Sequence, residues 1–279
     1  MSRPELQKPP DVFYDASEAR KYHSSSRMVN IQAEISKRCI ELLNIPPDKH
    51  CFILDVGCGS GLSGEALEEA GHVWVGTDIS RDMLDVANER ESSSGDLCQH
   101  DMGDGLPFRP ATFDGCISVS ALQWLCYAQT SAQSARPRLA AFFSSLYSCL
   151  KRGARAALQF YPDSPEQAML IASAAAKAGF TGGLVVDYPN SAKAKKYYLC
   201  LSFEKGYRAP SALTEGGGAT NSAVGRERQR AAERKRAAKR RAPVRDRDWV
   251  MAKKERQRKQ GKEVRADSKF TGRKRKDRF

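Results

Sequence analysis

The segment Leu54-Asp55-Val56-Gly57-Cys58-Gly59-Ser60-Gly61 constrains this chain more than any other. The apolar run at residues 51–56 is too short for a helix and runs straight into glycines, so it reads as a buried strand. A helix is expected from Gly61 onward. Glycines between a strand and a helix let the backbone turn tightly and bring a ligand close to main-chain N–H groups at a helix N-terminus. Asp78 closes the next apolar run, 21 residues after Gly57. A carboxylate there can accept hydrogen bonds from both hydroxyls of a ribose.

Two kinds of cofactor fit this pattern. Gly59-Ser60-Gly61-Leu62-Ser63-Gly64 satisfies the dinucleotide fingerprint, and Asp78 suits a nicotinamide dinucleotide too. Three further features favour S-adenosylmethionine. Asp55 places an acid before the glycines, which suits a cationic aminopropyl group and would repel a pyrophosphate. Asp101, followed by Met102, comes after the third expected strand, where the pair can read an adenine amino group and cover the ring. The chain also ends its α/β pattern in two strands joined by a short polar turn, which implies one antiparallel strand, a trait of methyltransferases.

The remaining pattern alternates strands with helices, the signature of a parallel sheet covered on both faces. A helix is predicted at residues 27–43, with Ile31, Ile35, Cys39 and Leu42 on one side. Strands are predicted at 72–77, 95–100, 113–120, 154–160, 184–188 and 197–203. Ser80 can cap the helix after the second strand. The helix predicted at 135–150 has Gly153 where a left-handed C-cap would sit. Ser164-Pro165-Glu166-Gln167 forms a capping box with proline at the first helical position, and that helix is expected to stop at Gly179. The expected fold is a doubly wound, mostly parallel seven-stranded sheet, the class I methyltransferase architecture, spanning residues 27–203.

Beyond Phe203 the apolar period disappears. The net charge is +13, but 26 of the 46 Lys and Arg and only 10 of the 33 Asp and Glu lie in residues 204–279. The tail therefore carries +16 and the first 203 residues −3. A basic segment on a near-neutral globule reads as a tether for polyanions, with a merely solvated tail as the alternative. Residues 204–225 read as a linker. Residues 226–279 read as a largely disordered RNA-binding and nuclear-import tail, with Arg240, Arg241, Lys253, Lys254, Arg273, Lys274, Arg275 and Lys276 as phosphate contacts. The eight cysteines form no C-x-x-C pair, and the four histidines match no metal spacing. The cysteines are expected as small buried hydrophobes in a reducing compartment. No apolar stretch is long enough to span a bilayer, so no membrane association is expected.

The fourth strand ends in Ser118-Val119-Ser120-Ala121-Leu122-Gln123-Trp124-Leu125, where the reacting methyl should sit. Enzymes that methylate exocyclic amino groups of bases usually carry Asn/Asp-Pro-Pro-aromatic there, and this chain does not. Nor does it contain the Pro-Cys pair often used by pyrimidine-carbon methyltransferases. Trp124 can stack on a base or simply pack. Ser118, Trp124 and Tyr161 are the expected lining of the transfer site, and no catalytic base is assigned.

These residues, taken together, resemble the small-subunit ribosomal RNA (guanine-N7)-methyltransferases of ribosome biogenesis. The resemblance rests on Phe13-Tyr14 with Lys21-Tyr22, the 54–61 glycine loop and Phe113-Asp114-Gly115-Cys116-Ile117-Ser118. It also rests on Val185-Val186-Asp187-Tyr188-Pro189-Asn190-Ser191-Ala192-Lys193-Ala194-Lys195-Lys196 and on Asp267-Ser268-Lys269-Phe270-Thr271-Gly272-Arg273-Lys274-Arg275-Lys276. Residues 204–245, rich in Gly and Ala, look undiagnostic. The resemblance implies that Gly57, Gly59, Asp78, Asp101 and Met102 bind the cofactor, beside Asp55 and Gly61 of the same loop. It implies that residues 1–26, through Tyr14, Lys21 and Tyr22, cover the cofactor as a lid. It further implies a nuclear, largely nucleolar protein, extending to the cytoplasm, that acts on ribosomal RNA in pre-small-subunit particles. An obligate partner follows too, a small zinc-binding activator subunit, expected to pair with the edge of the third strand near Leu97. Two other classes stay open: a methyltransferase for small carboxylic acids, and an RNA-binding assembly factor whose catalysis is dispensable.

Overall fold

Phe52–Val56 forms β1, and its last four residues have no room for water on either side. Such a strand must lie inside a sheet covered on both faces. In the computed structural model it pairs in parallel with β2 (Val73–Asp78) and β4 (Phe113–Val119). β3 (Asp96–Gln99), β5 (Leu150–Phe160), β6 (Thr181–Asp187) and β7 (Lys196–Ser202) complete a seven-stranded sheet of order β3-β2-β1-β4-β5-β7-β6. β7 runs antiparallel to both β5 and β6, as the sequence predicts. The residues described are 4–90, 94–127, 134–191, 193–214, 247–260 and 263–271.

The strand alternation divides the core. Leu54 and Val56 face one cluster with Leu139, Phe142, Phe143 and Leu146 of α6 (Ala135–Cys149) and Ile171 and Ala175 of α7 (Pro165–Ala178). Ile53 faces the other, with Ile35, Cys39 and Leu42 of α3 (Ser26–Leu43), Leu67 of α4 (Leu62–Glu69) and Leu84 of α5 (Arg81–Asn88). Fully burying each such side chain contributes roughly 1.5–3 kcal/mol. Six of the eight cysteines are buried in these layers, and all eight are free thiols.

Local signals account for the helix ends. Ser80 Oγ accepts from Met83 N–H at 3.2 Å. Ser164 Oγ accepts from Gln167 N–H at 3.3 Å, and Gly179 ends α7 at φ 113°. Gly153 does not cap α6. The helix ends at Cys149, Leu150 is already extended, and β5 begins four residues earlier than predicted. Gly153, at φ 86°, lies in a bulge where the register jumps from Phe113↔Leu150 to Gly115↔Arg155.

The amino-terminal segment is helical: α1 (Pro10–Phe13) and α2 (Ala16–Ser24) precede α3. Asp15 caps α2 by accepting from Ser17 and Glu18 N–H at 3.0 Å. Ala19 of α2 is buried against Met83 and Val86 of α5, with Tyr14 and Tyr22 beside it.

Residues 204–214, expected to begin the linker, pack on the globule. Ala209 and Ala212 are buried against the α3 side of the sheet. Arg38 ties Asp187 at 2.9 Å and donates to Ser211 O at 2.9 Å, while Leu213 N–H donates to the same carboxylate at 2.8 Å. Small residues hid this packing: neither alanine adds to an apolar stripe.

The chain divides into two compact units, residues 1–226 and 227–279. Within the second, α8 (Arg247–Lys259) is a helix where a disordered tail was expected. Lys254 and Arg258 reach Asp267 at 2.8 and 2.7 Å, so ion pairs tie the following stretch of chain back to the helix. Arg240, Arg241 and residues 273–276 lie outside the described residues, as does the linker from residue 215.

A truncation after Thr214 should keep the thermal stability of residues 1–214. A truncation after Phe203 leaves Asp187 without its backbone donor and should lose about 2–4 kcal/mol in urea unfolding, the scale of a charged hydrogen bond plus lost packing. Equal midpoints for the two truncated proteins would contradict this packing.

Candidate functional site

In a parallel sheet the loops after successive strands meet at one edge, and ligands bind there. After β1, Gly57, Gly59 and Gly61 adopt φ of 71°, 53° and 80°. Gly57 and Cys58 N–H both donate to Thr77 O, at 2.7 and 3.1 Å, strapping the loop to β2. A Cβ on Gly57 would fall 2.2 Å from that of Ala121, so the β4 loop can approach only because this residue is glycine. Gly64, third glycine of the dinucleotide fingerprint, serves packing: its Cβ would fall 2.1 Å from the Trp74 ring.

Asp78 organises the opposite wall. One oxygen accepts from Gly59 N–H and the other from Ser80 N–H, each at 2.9 Å. Burial pushes its carboxyl upward from the usual range, against these amide donors. With Ile79 N–H as a further backbone partner, the carboxylate still keeps lone-pair capacity for another donor.

The cleft beside it is lined by Tyr14, Tyr22, Gly57, Gly59, Asp78, Asp101, Met102 and Trp124, so the structure brings these expected residues together. Its empty space is about 890 Å³, solvent at the mouth included. Tyr14 lies 6.1 Å from Trp124 and 6.0 Å from Tyr22, ring to ring, and Phe13 lies 6.3 Å from Trp124. Ser80 Oγ donates to Tyr14 O at 2.8 Å, so the cap of α5 also anchors this aromatic wall. Burial, then the neighbouring Asp78, pushes the Tyr14 phenol to about 12, so it stays a protonated donor.

Other expected residues stand elsewhere. Asp55 is wholly buried beneath the loop, outside the cleft lining; its Oδ2 accepts from Ser63 Oγ at 2.5 Å and Oδ1 has no partner. Strand alternation turns it toward Ser63 of α4, itself part of the cleft lining. Gly61 caps α4 and faces Ala87 of α5. Lys21 is solvent-exposed and pairs with Glu18 at 2.9 Å, because the helical period gives the inner side of α2 to Ala19 and Tyr22. Ser118 is buried and its Oγ donates to Val56 O at 2.7 Å, joining β4 to β1. Tyr161 stands next to the cleft rather than in its lining; its N–H donates to Gln123 Oε1 at 3.4 Å.

Sequence reasoning missed Arg138, Ser120 and Gln159. Arg138 grips both oxygens of Asp101, at 2.7 and 2.6 Å, from beside the apolar stripe of α6. A cation next to a buried stripe was the available signal. Ser120, at the strained φ of 59°, has its N–H and Oγ both donating to Gln159 Oε1 at 2.9 Å. Nothing in the sequence links residues 39 positions apart.

The residues fit S-adenosylmethionine. Arg138 supplies the cleft's guanidinium charge, and Asp101 neutralises it, so a pyrophosphate would meet Asp78 without a free counter-charge among the lysine and arginine side chains. Thr77 Oγ1, buried in the lining, has no partner and offers one more polar contact. A ribose diol matches Asp78, an adenine amino group matches Asp101, and Met102 and the aromatic wall match the apolar parts of a nucleoside.

The comparisons follow the same lines. The family described as "Methyltransferase domain" matches residues 54–158, and that described as "Methyltransferase involved in Williams-Beuren syndrome" matches residues 204–277. The Mus musculus 18S rRNA (guanine-N(7))-methyltransferase is 53% identical over 99% of this chain and 98% of its own length. This chain belongs to the 18S rRNA (guanine-N7)-methyltransferase family. The Saccharomyces cerevisiae 18S rRNA (guanine(1575)-N(7))-methyltransferase is 46% identical over the full length of both. Residues 204–245, which looked undiagnostic, fall within a family match. A Haemonchus contortus phosphoethanolamine N-methyltransferase, solved with phosphomonomethylethanolamine and S-adenosylhomocysteine, shares the fold: TM-score 0.51, 17% identity, 68% of this chain and 57% of that one.

Burial pushes the Asp55 carboxyl up to about 7, with the Ser63 hydroxyl pulling the other way. Its unfolded value is about 3.9. The folded state thus binds this proton more tightly, so Asp55 contributes stability fully below about pH 4 and loses it as pH rises through about 7. Asp55→Asn should flatten that fall. Parallel urea-midpoint profiles for wild type and variant between pH 4.5 and 7.5 would contradict the assignment.

Proposed function

We propose that this protein transfers a methyl group from S-adenosylmethionine to N7 of a guanine in 18S ribosomal RNA. Full-length kinship with curated 18S rRNA methyltransferases, terminal segment included, carries the reading. It favours RNA over a small carboxylic acid, which would need no basic tail.

Bound S-adenosylmethionine supplies a methyl made electrophilic by the charge on sulfur. Guanine N7 presents an in-plane lone pair and has no proton to lose, so no general base is needed. The protein's task is then alignment and exclusion of water. Asp78 holds the ribose end of the cleft and Asp101, steadied by Arg138, the adenine end. Phe13, Tyr14 and Trp124 close the wall against solvent. Ser120, fixed by Gln159, shapes the transfer side.

The basic second unit would add affinity through phosphates rather than choice of base. The edge strand β3, with half-buried Leu97, is suited to strand addition by a small zinc-binding activator subunit. A nuclear and nucleolar site of action accords with a substrate assembled there.

One assay tests these points together. Full-length protein, with and without the activator subunit, is incubated with cofactor and an 18S rRNA fragment, and the digested RNA is read by mass spectrometry. The expected product is 7-methylguanosine, made more efficiently with the subunit and less so after truncation at Thr214. Methyl on another guanine atom, or on no RNA at all under any arm, would overturn the assignment.

A further inference from the structure

The stretch 185–196 stood out in the sequence, yet the cofactor cleft does not use it. It comprises the end of β6, a turn and the first residue of β7. The turn is built by its own hydrogen bonds. Ser191 N–H donates to Tyr188 O at 3.0 Å, and Ser191 in turn accepts from Ala194 N–H at 3.1 Å and Lys195 N–H at 3.0 Å.

Topology decides where this turn stands. β5 runs parallel to β4, so its last residues reach the edge at which the cleft opens. β7 runs the other way and pairs Phe160 with Tyr197, which brings its beginning to that edge. Lys196 Nζ lies 5.5 Å above the ring of Tyr161, just after β5. Tyr161 bonds Gln123, whose side-chain amide donates to Ser120 O at 2.8 Å, and Ser120 lines the cleft. The turn is therefore a short chain of contacts from the transfer side.

Its charge lacks a partner. Among the described residues none of Lys193, Lys195 and Lys196 makes an ion pair, whereas Lys21, Lys37, Arg38 and Arg81 of the same unit all do. Asp187 stands opposite Lys196 in the β6–β7 register, but its carboxylate is taken by Arg38 and Leu213 N–H. Lys195 Nζ instead lies 5.8 Å over the Tyr197 ring. Burial lowers the Lys196 ammonium from its usual range, with Glu34 opposing. Two cations resting on aromatic faces, beside an exposed third, make a polyanion-shaped surface.

We propose that Lys193, Lys195 and Lys196 bind the ribose-phosphate backbone of the RNA strand that carries the target guanine. This rests on the reading of the protein as an RNA guanine-N7 methyltransferase. A base drawn into the cleft leaves its flanking phosphates at the mouth, where this turn stands. The site acts next to the chemistry and is distinct from the basic second unit, which tethers RNA at large. It positions the strand; the cleft itself selects the base.

The test compares full-length wild type with Lys193→Ala/Lys195→Ala/Lys196→Ala, measuring affinity for an 18S rRNA fragment at several salt concentrations. Each lost phosphate contact on single-stranded RNA lowers the slope of log K against log salt by about 0.7, so three contacts lower it by about 2. The variant should also show a raised KM for RNA with unchanged S-adenosylmethionine affinity, and a triple Lys→Arg variant should recover binding. Should the triple alanine variant fold poorly, Lys193→Ala/Lys195→Ala on the turn should lower the slope by about 1.4. Wild-type slope and KM in both alanine variants would overturn the site while leaving the methyltransferase reading intact. That outcome would point to an acidic protein surface as the turn's partner. A wild-type chain that neither binds nor methylates the fragment would instead overturn the functional reading itself.

Discussion

The carboxylate of Asp78 holds two backbone amides at once, one from the glycine loop and one from the start of α5. That grip fixes where β1 and β2 end relative to each other, and with it the floor of the cleft. The neighbouring Ser80 side chain extends the grip, accepting from Met83 and donating to Tyr14. The amino-terminal wall is thereby tied to the same point. An acid in this position is costly to bury unless several donors meet it. Here the donors are main-chain groups whose placement requires the glycines, so loop, acid and wall stand or fall together.

The opposite side of the cleft follows the same principle with different parts. Asp101 is met by Arg138 and by Gly103 N–H at 2.7 Å. Ser120 is held in a strained backbone conformation by Gln159 from the neighbouring strand. Rigid parts suit a reaction that asks for no proton transfer. When nucleophile and methyl are both already activated, alignment accounts for most of what a protein can add, and alignment is lost with sub-ångström looseness.

Much of this was legible in the chain because it depends on local rules. The buried strand before the glycines, the capping serines, the switch to a polar turn before β7 and the acids Asp78 and Asp101 each follow from neighbours in sequence. What escaped depends on distant residues. The bond of Asp55 to Ser63 of α4, beneath the glycine loop, joins residues eight apart that no sequence pattern links. Lys21 shares α2 with Tyr22 but not its side of the helix. Gly153 matched a helix cap and proved to be a bulge, since β5 starts directly at Leu150. Residues 204–214 hold to the globule through Tyr207, Ala209, Ala212 and main-chain groups, whose spacing leaves no hydrophobic period. Gly64, the third glycine of the fingerprint, lets α4 pack on Trp74 of β2, a role it has with either cofactor, so the choice between them rests on the acids and the paired charge of Arg138.

The central claim is that Asp78 both builds the cleft floor and holds the ribose of S-adenosylmethionine, and calorimetry on a matched pair of variants tests it most directly. Asp78→Ala should bind the cofactor at least about tenfold more weakly, while Asp78→Asn, which keeps the shape and one acceptor, should fall between it and wild type. Circular dichroism confirms that each variant is folded before titration. Wild-type affinity in a folded Asp78→Ala protein, or tighter binding of a nicotinamide dinucleotide than of S-adenosylmethionine by the unmodified chain, would contradict the account.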